Sequence, residues 1–115
     1  MRRAAACALA GLLPVLAAGA AIDPIHEGWR RYQGVCGHCH GPDGAGSSFA
    51  PSLVDPLPPR ERFDAAVLQG VSGTRGVMRG FAGDPNVEPY LDAIYAYLEA
   101  RASGRLGRGR PDGEP

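Results

Sequence analysis

Cys36, Cys39 and His40 fall in the run Cys36-Gly37-His38-Cys39-His40, a residue set and spacing suited to attaching haem covalently. Two thiols three positions apart on one helical turn can each reach one of the two vinyl groups on an edge of a porphyrin. The next residue, His40, then lies over the iron, where its imidazole is a natural proximal ligand. A zinc site fits less well: it needs four ligands, usually from two separated pairs, and no Cys or His comes after His40. A thioredoxin-like redox pair expects alternating strands and helices, and the chain beyond the motif shows no such alternation. A disulfide across two residues closes almost no loop and would stabilise little.

These three residues need a helix beneath them and loops around them. Asp23-Pro24 is a helix start, with Asp23 as N-cap and Pro24 in the first turn. Ile25, Trp29, Tyr32 and Val35 or Cys36 then form one apolar face leading to the motif. Gly28 lies inside that helix, at a cost of roughly 1 kcal/mol relative to Ala, and a close approach by another helix would explain it. His26 is read as an ordinary surface histidine. Beyond His40, residues 41–48 carry turn signals throughout, and Pro56 to Pro59 form a stiff connector. A second helix is expected over Arg60 to Gln69, with Phe63, Ala66 and Val67 on its apolar stripe and Gly70 as its stop.

Residues 71–83 form a second glycine-rich loop with Met78 near its centre. A methionine is commonly core filler. Its setting between two helices, flanked by glycines and 38 residues after His40, favours a sixth iron ligand, since a thioether is a soft, neutral donor that raises a haem's potential. Arg75 and Arg79, on either side, can pair with haem propionates or face solvent. A last helix begins near Val87 or Pro89 and runs to Ala102, with Ile94, Tyr97 and Leu98 inward.

The N-terminus has the layout of a secretory signal over residues 1–20. Arg2-Arg3 is the positive region, Ala4 to Leu16 the apolar run, and Ala18-Gly19-Ala20 the cleavage site. The competing reading is an uncleaved membrane anchor. Cleavage removes Cys7, leaving Cys36 and Cys39 alone. Taking Arg2 and Arg3 from the 12 basic residues leaves 10, all arginine, against 12 acidic ones, a charge of −2. That balance argues against a nucleic-acid partner. A chain this short and this rich in Gly and Pro buries little core unaided, a shortage that a large flat apolar cofactor would relieve. The working division is a signal over 1–20, one domain over 21–102, and a flexible tail over 103–115.

Cys-x-x-Cys-His, a glycine-rich loop and the Ala50-Pro51-Ser52-Leu53 run together resemble the N-terminal half of a small class I bacterial cytochrome c. The resemblance extends through Met78 to the last helix. It implies an all-α fold of three or more helices around one haem c held by Cys36 and Cys39, with the first and last helices crossed through Gly28, Tyr32, Ile94 and Tyr97. It further implies that the Pro51 carbonyl accepts a hydrogen bond from the proximal imidazole, that Leu53 packs on the ring, and that His40 and Met78 are the axial ligands. Arg79 stands where the family usually has proline, so the rigidity of the methionine loop is open.

The function implied is single-electron transfer in the periplasm by a monomer with no catalytic role of its own. Residues 73–78, 90–98 and 106–111 are similar to cytochromes that accept electrons from quinoprotein alcohol dehydrogenases, including methanol dehydrogenases; a cytochrome or oxidase would be the acceptor. The alternatives are a gas-binding or peroxidatic haem protein with a labile sixth ligand, and a cytochrome subunit of a larger oxidoreductase.

Overall fold

A computed structural model describes residues 3–14 and 23–111. Residues 3–14 form no helix or strand and leave Leu9, Leu12 and Leu13 exposed. The expected cleavage site, residues 18–20, and the last four residues, 112–115, lie outside the described residues. No helix among the described residues is long and apolar enough to cross a membrane.

The helical run toward the motif starts as its local sequence requires. Asp23 Oδ1 accepts the Ile25 N–H at 3.0 Å, and Pro24 opens α1 (Pro24–Arg31). The run then widens into a π-helical turn, Tyr32–Cys36, closed by Gly37 N–H donating to the Tyr32 carbonyl, and returns to α geometry in α2 (Gly37–His40). The apolar spacing left Val35 and Cys36 as equal candidates for the inward face. The extra residue of the π turn, which rotates α2 about the helix axis relative to α1, falls at that ambiguity.

α3 (Arg60–Gln69) buries Phe63 and Val67 and ends at Gly70 with φ +80°. A 3-10 turn, Glu88–Tyr90, leads into α4 (Leu91–Ala102), which buries Ile94, Tyr97 and Leu98. α1 and α4 cross at Gly28, where an added Cβ would lie 1.9 Å from the Ala93 carbonyl oxygen and 2.9 Å from Tyr97 Cβ. The helix penalty of this glycine is thus offset by backbone contact that no larger residue allows. Tyr32 and Tyr97 meet beside the crossing, their ring centroids 5.5 Å apart. With Phe63, Val67, Val87, Ile94 and Leu98 they form the core.

The fold is all-α in its framework, as expected, with one addition. The loop expected over residues 71–83 contains an antiparallel hairpin, β1 (Val71–Gly73) and β2 (Gly76–Met78), with Val71 opposite Met78 and Gly73 opposite Gly76. Strands of three residues are too short to show a period of two, and the Thr74-Arg75 turn lacks the Asn-Gly or Asp-Gly signal.

Candidate haem site

α2 presents Cys39 and His40 directly after Cys36, which closes the π turn, and then stops. Gly41 breaks it at φ +78°, and a Cβ there would come within 2.4 Å of the Gly46 carbonyl oxygen. The chain folds back at once, so that Gly46 N–H donates to the His40 carbonyl at 2.7 Å. Cys36 is half-buried against the core and Cys39 is exposed; both are free. Burial pushes the Cys36 thiol up to about 11, a property lost once the sulfur is a thioether. Among the described residues no three His, Cys, Asp or Glu side chains converge as a metal cluster.

His40 is 8% exposed, and its Nδ1 lies 2.8 Å from the Pro51 carbonyl oxygen. A carbonyl can only accept, so Nδ1 carries the proton and the lone pair of Nε2 is free for a metal. The donor set fits haem iron: a neutral imidazole with its second nitrogen anchored, on the turn that carries the two thiols. The 11-residue interval between His40 and Pro51 is held by its own bonds. Leu53 N–H and Ser52 Oγ both donate to the Gly44 carbonyl, at 2.9 and 3.1 Å. Ser47 Oγ donates to the Cys39 carbonyl and accepts from Phe49 N–H. Tyr32, kept a neutral donor by burial, gives its O–H to the Gly41 carbonyl at 2.6 Å from inside the core. Leu53 is partly buried against that core.

Met78, the last residue of β2, is partly buried against the same cluster. Backbone bonds hold its segment to α3: Phe81 N–H donates to the Val67 carbonyl at 2.8 Å and Ala82 N–H to the Leu68 carbonyl at 3.1 Å. The approach is tight. A Cβ on Gly70 would lie 2.6 Å from the Met78 carbonyl oxygen, and one on Gly80 2.7 Å from that of Leu68. Arg79 stacks over Phe81 at 4.2 Å and pairs with Asp84 at 3.6 Å. Arg75 is exposed in the hairpin turn and makes no hydrogen bond or ion pair among the described residues.

No sequence signal marks Asp43 as a functional residue. Within the expected flexible tail over 103–115, Arg108 and Gly109 bond to the loop after His40. Arg108 Nε and Gly109 N–H donate to the two Asp43 carboxylate oxygens at 3.1 and 2.9 Å, and Arg101 Nη1 donates to the Leu106 carbonyl at 2.9 Å. Asp43-Gly44 announced a turn. Nothing local announced partners 65 and 66 residues away.

Crossed terminal helices, the Cys-x-x-Cys-His turn and a carbonyl-anchored imidazole define a c-type cytochrome. Residues 23–98 match the family described as cytochrome c oxidase, cbb3-type, subunit III, and the chain belongs to that cytochrome c family. It is 42% identical over 99 residues to cytochrome c-553I of Paracoccus denitrificans, covering 81% of this chain and 44% of that protein. It is 33% identical over 110 residues to cytochrome c-555 of Methylococcus capsulatus, covering 89% of this chain and 86% of that one. Among solved structures it is similar to the c-type cytochrome XoxG of Methylobacterium extorquens AM1, with a TM-score of 0.72 and 42% identity over 76% of this chain and 56% of the other. The chain thus spans less than half the length of cytochrome c-553I and little more than half of the solved XoxG chain. The protein is a cytochrome c with one covalently attached c-type haem, and Cys36 and Cys39 have the spacing of the attachment motif.

Proposed function

We propose that this cytochrome shuttles single electrons in the periplasm with His40 and Met78 as axial ligands. Its donor would be a quinoprotein alcohol dehydrogenase of the methanol dehydrogenase kind, and its acceptor a downstream cytochrome or oxidase. The haem supplies a one-electron Fe(III)/Fe(II) couple. The observation that carries the reading is the His40 Nδ1–H to Pro51 bond, which orients the ring and leaves Nε2 as a fixed donor. Met78, whose backbone is held by the hairpin and the Phe81 and Ala82 bonds, would supply the second donor to the iron. Leu53 would exclude water from the ring, and Arg75, exposed in the hairpin turn, would pair with a propionate. Export by a signal over residues 1–20 agrees with the exposed Leu9, Leu12 and Leu13, and residues 21–102 form the electron-transfer domain.

The test is the absorption spectrum of the exported protein, oxidised and reduced, with and without carbon monoxide. A low-spin spectrum indifferent to carbon monoxide is expected. Met78→Ala is expected to lower the potential and to convert the protein to ready carbon monoxide binding; an unchanged spectrum and potential would remove Met78 from the iron. The donor is tested by reduction with purified quinoprotein dehydrogenase and its alcohol, where no reduction rejects that partner.

A second reading, a gas-binding or peroxidatic haem protein, draws on Arg79 in place of proline and on the exposure of the hairpin, with Val77 81% exposed. Ready carbon monoxide binding by the unaltered protein would favour it.

A further inference from the structure

We propose that residues 106–109 of the C-terminal segment are a strap that positions the proximal histidine, acting through Asp43. The proposal rests on the reading of His40 as the proximal ligand. Asp43 is the one non-glycine residue among those described with positive φ, +61°, and it is 6% exposed. Such a backbone is disfavoured for an L-residue and persists where surrounding contacts hold it.

Here the contacts come from two directions. The carboxylate accepts from Gly109 N–H and Arg108 Nε, while its carbonyl accepts from Arg101 Nε at 3.3 Å. Arg101 in turn grips the strap at the Leu106 carbonyl, and Leu106 N–H donates to the Ala100 carbonyl at 3.0 Å. One arginine of α4 therefore binds both the loop and the strap that closes over it. Asp43 is joined directly to Gly44, whose carbonyl receives Ser52 Oγ and Leu53 N–H. The residue before Ser52 is Pro51, whose carbonyl holds the imidazole. The path from strap to histidine is a continuous set of hydrogen bonds and peptide links, and its middle is tightly packed: a Cβ on Gly44 would meet Val54 Cγ1 at 2.9 Å and Leu98 Cδ2 at 3.0 Å.

Asp43 and the strap are thus positioning elements for electron transfer. They hold the Pro51 carbonyl on Nδ1–H, and that bond sets the basicity of the ligating nitrogen. A strap that served only to add stability would protect the whole domain evenly, whereas this one protects the His40 proton above all.

The experiment uses the exported, reduced holoprotein labelled with nitrogen-15. It compares deuterium exchange at His40 Nδ1–H with exchange at the Leu98 amide, in the buried middle of α4. Two variants are used: Asp43→Asn, which tolerates positive φ and removes the charge, and a chain ending at Leu106. In both, His40 Nδ1–H is expected to exchange about tenfold faster or more, as loss of a charge-assisted hydrogen bond predicts, while Leu98 stays within about twofold. An unchanged His40 rate, or equal acceleration at both sites, overturns the strap. Failure of the ligation reading would show separately, as an unaltered protein without a low-spin spectrum. The ratio between variant and unaltered protein is read in either case.

Discussion

The two faces of the haem site are built by different means. On the His40 side the stretch from Gly41 to Leu53 is fixed by side chains as well as backbone: Tyr32 from the core, Ser47 and Ser52 within the stretch, and Arg101 and Arg108 from α4 and the segment after it. On the Met78 side the segment is held mainly by backbone, through a ladder of three residue pairs and two bonds to the end of α3, with the Arg79–Asp84 pair on the surface and Val71 and Val77 exposed. A partly buried network of charged and neutral hydrogen bonds, several of them sharing partners, opens with difficulty. A two-stranded ribbon exposed to water is marginal without support. With His40 and Met78 as the proposed ligands, His40 is therefore expected to stay in place under conditions that release Met78.

The comparison can be broken at its root. Gly28→Val puts side-chain atoms into the Ala93 carbonyl and should cost about 3 kcal/mol or more, by forcing apart the α1 and α4 crossing on which both faces depend. Denaturant titration of the holoprotein checks this, and a loss below that size would mean the helices can slide.

Next in size, Gly70→Ala introduces a Cβ at positive φ, 2.6 Å from the Met78 carbonyl. About 2 kcal/mol of destabilisation is expected, accompanied by new carbon monoxide binding in the reduced protein. Destabilisation without carbon monoxide binding would show the hairpin to be firmer than its exposure suggests.

Tyr32→Phe is the matching change on the other face. It strands the buried Gly41 carbonyl and should cost about 1–2 kcal/mol without opening the iron to carbon monoxide. If carbon monoxide binds this variant as well, the two faces are not independent.

The smallest effect is a pH dependence. Burial alone would raise the Asp43 carboxyl, but the Gly109 N–H and the Arg108 and Arg101 guanidiniums outweigh it and hold the group below its ordinary value. The folded protein then binds this proton less readily than the unfolded chain. The contribution is fully present above the ordinary carboxylate value of about 4 and is lost as pH falls through the lowered folded value. Asp43→Asn is expected to be less stable than the unaltered protein at neutral pH, with the gap closing below about pH 4. Melting of both proteins across that range is the measurement, and a gap that persists in acid would mean the carboxylate charge is not what the strap holds.

What could be read in the residues alone was whatever depends on neighbours along the chain. Cys36, Cys39 and His40 lie within about one helical turn, so covalent geometry brings their chemistry together wherever the helix sits. Asp23-Pro24 capped the first helix for equally local reasons, and Gly28 signalled a crossing because nothing in an isolated helix explains it. The π turn was visible only as an indecision between Val35 and Cys36, and the hairpin was too short to show any period. The anchoring of Pro51 on His40 came from family resemblance, since an ordinary loop proline has the same local sequence. Asp43 announced a turn, but its pairing with Arg108 and Gly109 left no local trace. Arg108 and Gly109 lie in a segment whose composition reads as a free tail, and their role arises only when the crossing of α1 and α4 delivers these two residues to the loop after His40. Helix periodicity and covalent spacing are short-range and legible in sequence. The pairing of a carboxylate with donors 65 and 66 residues away is decided by packing.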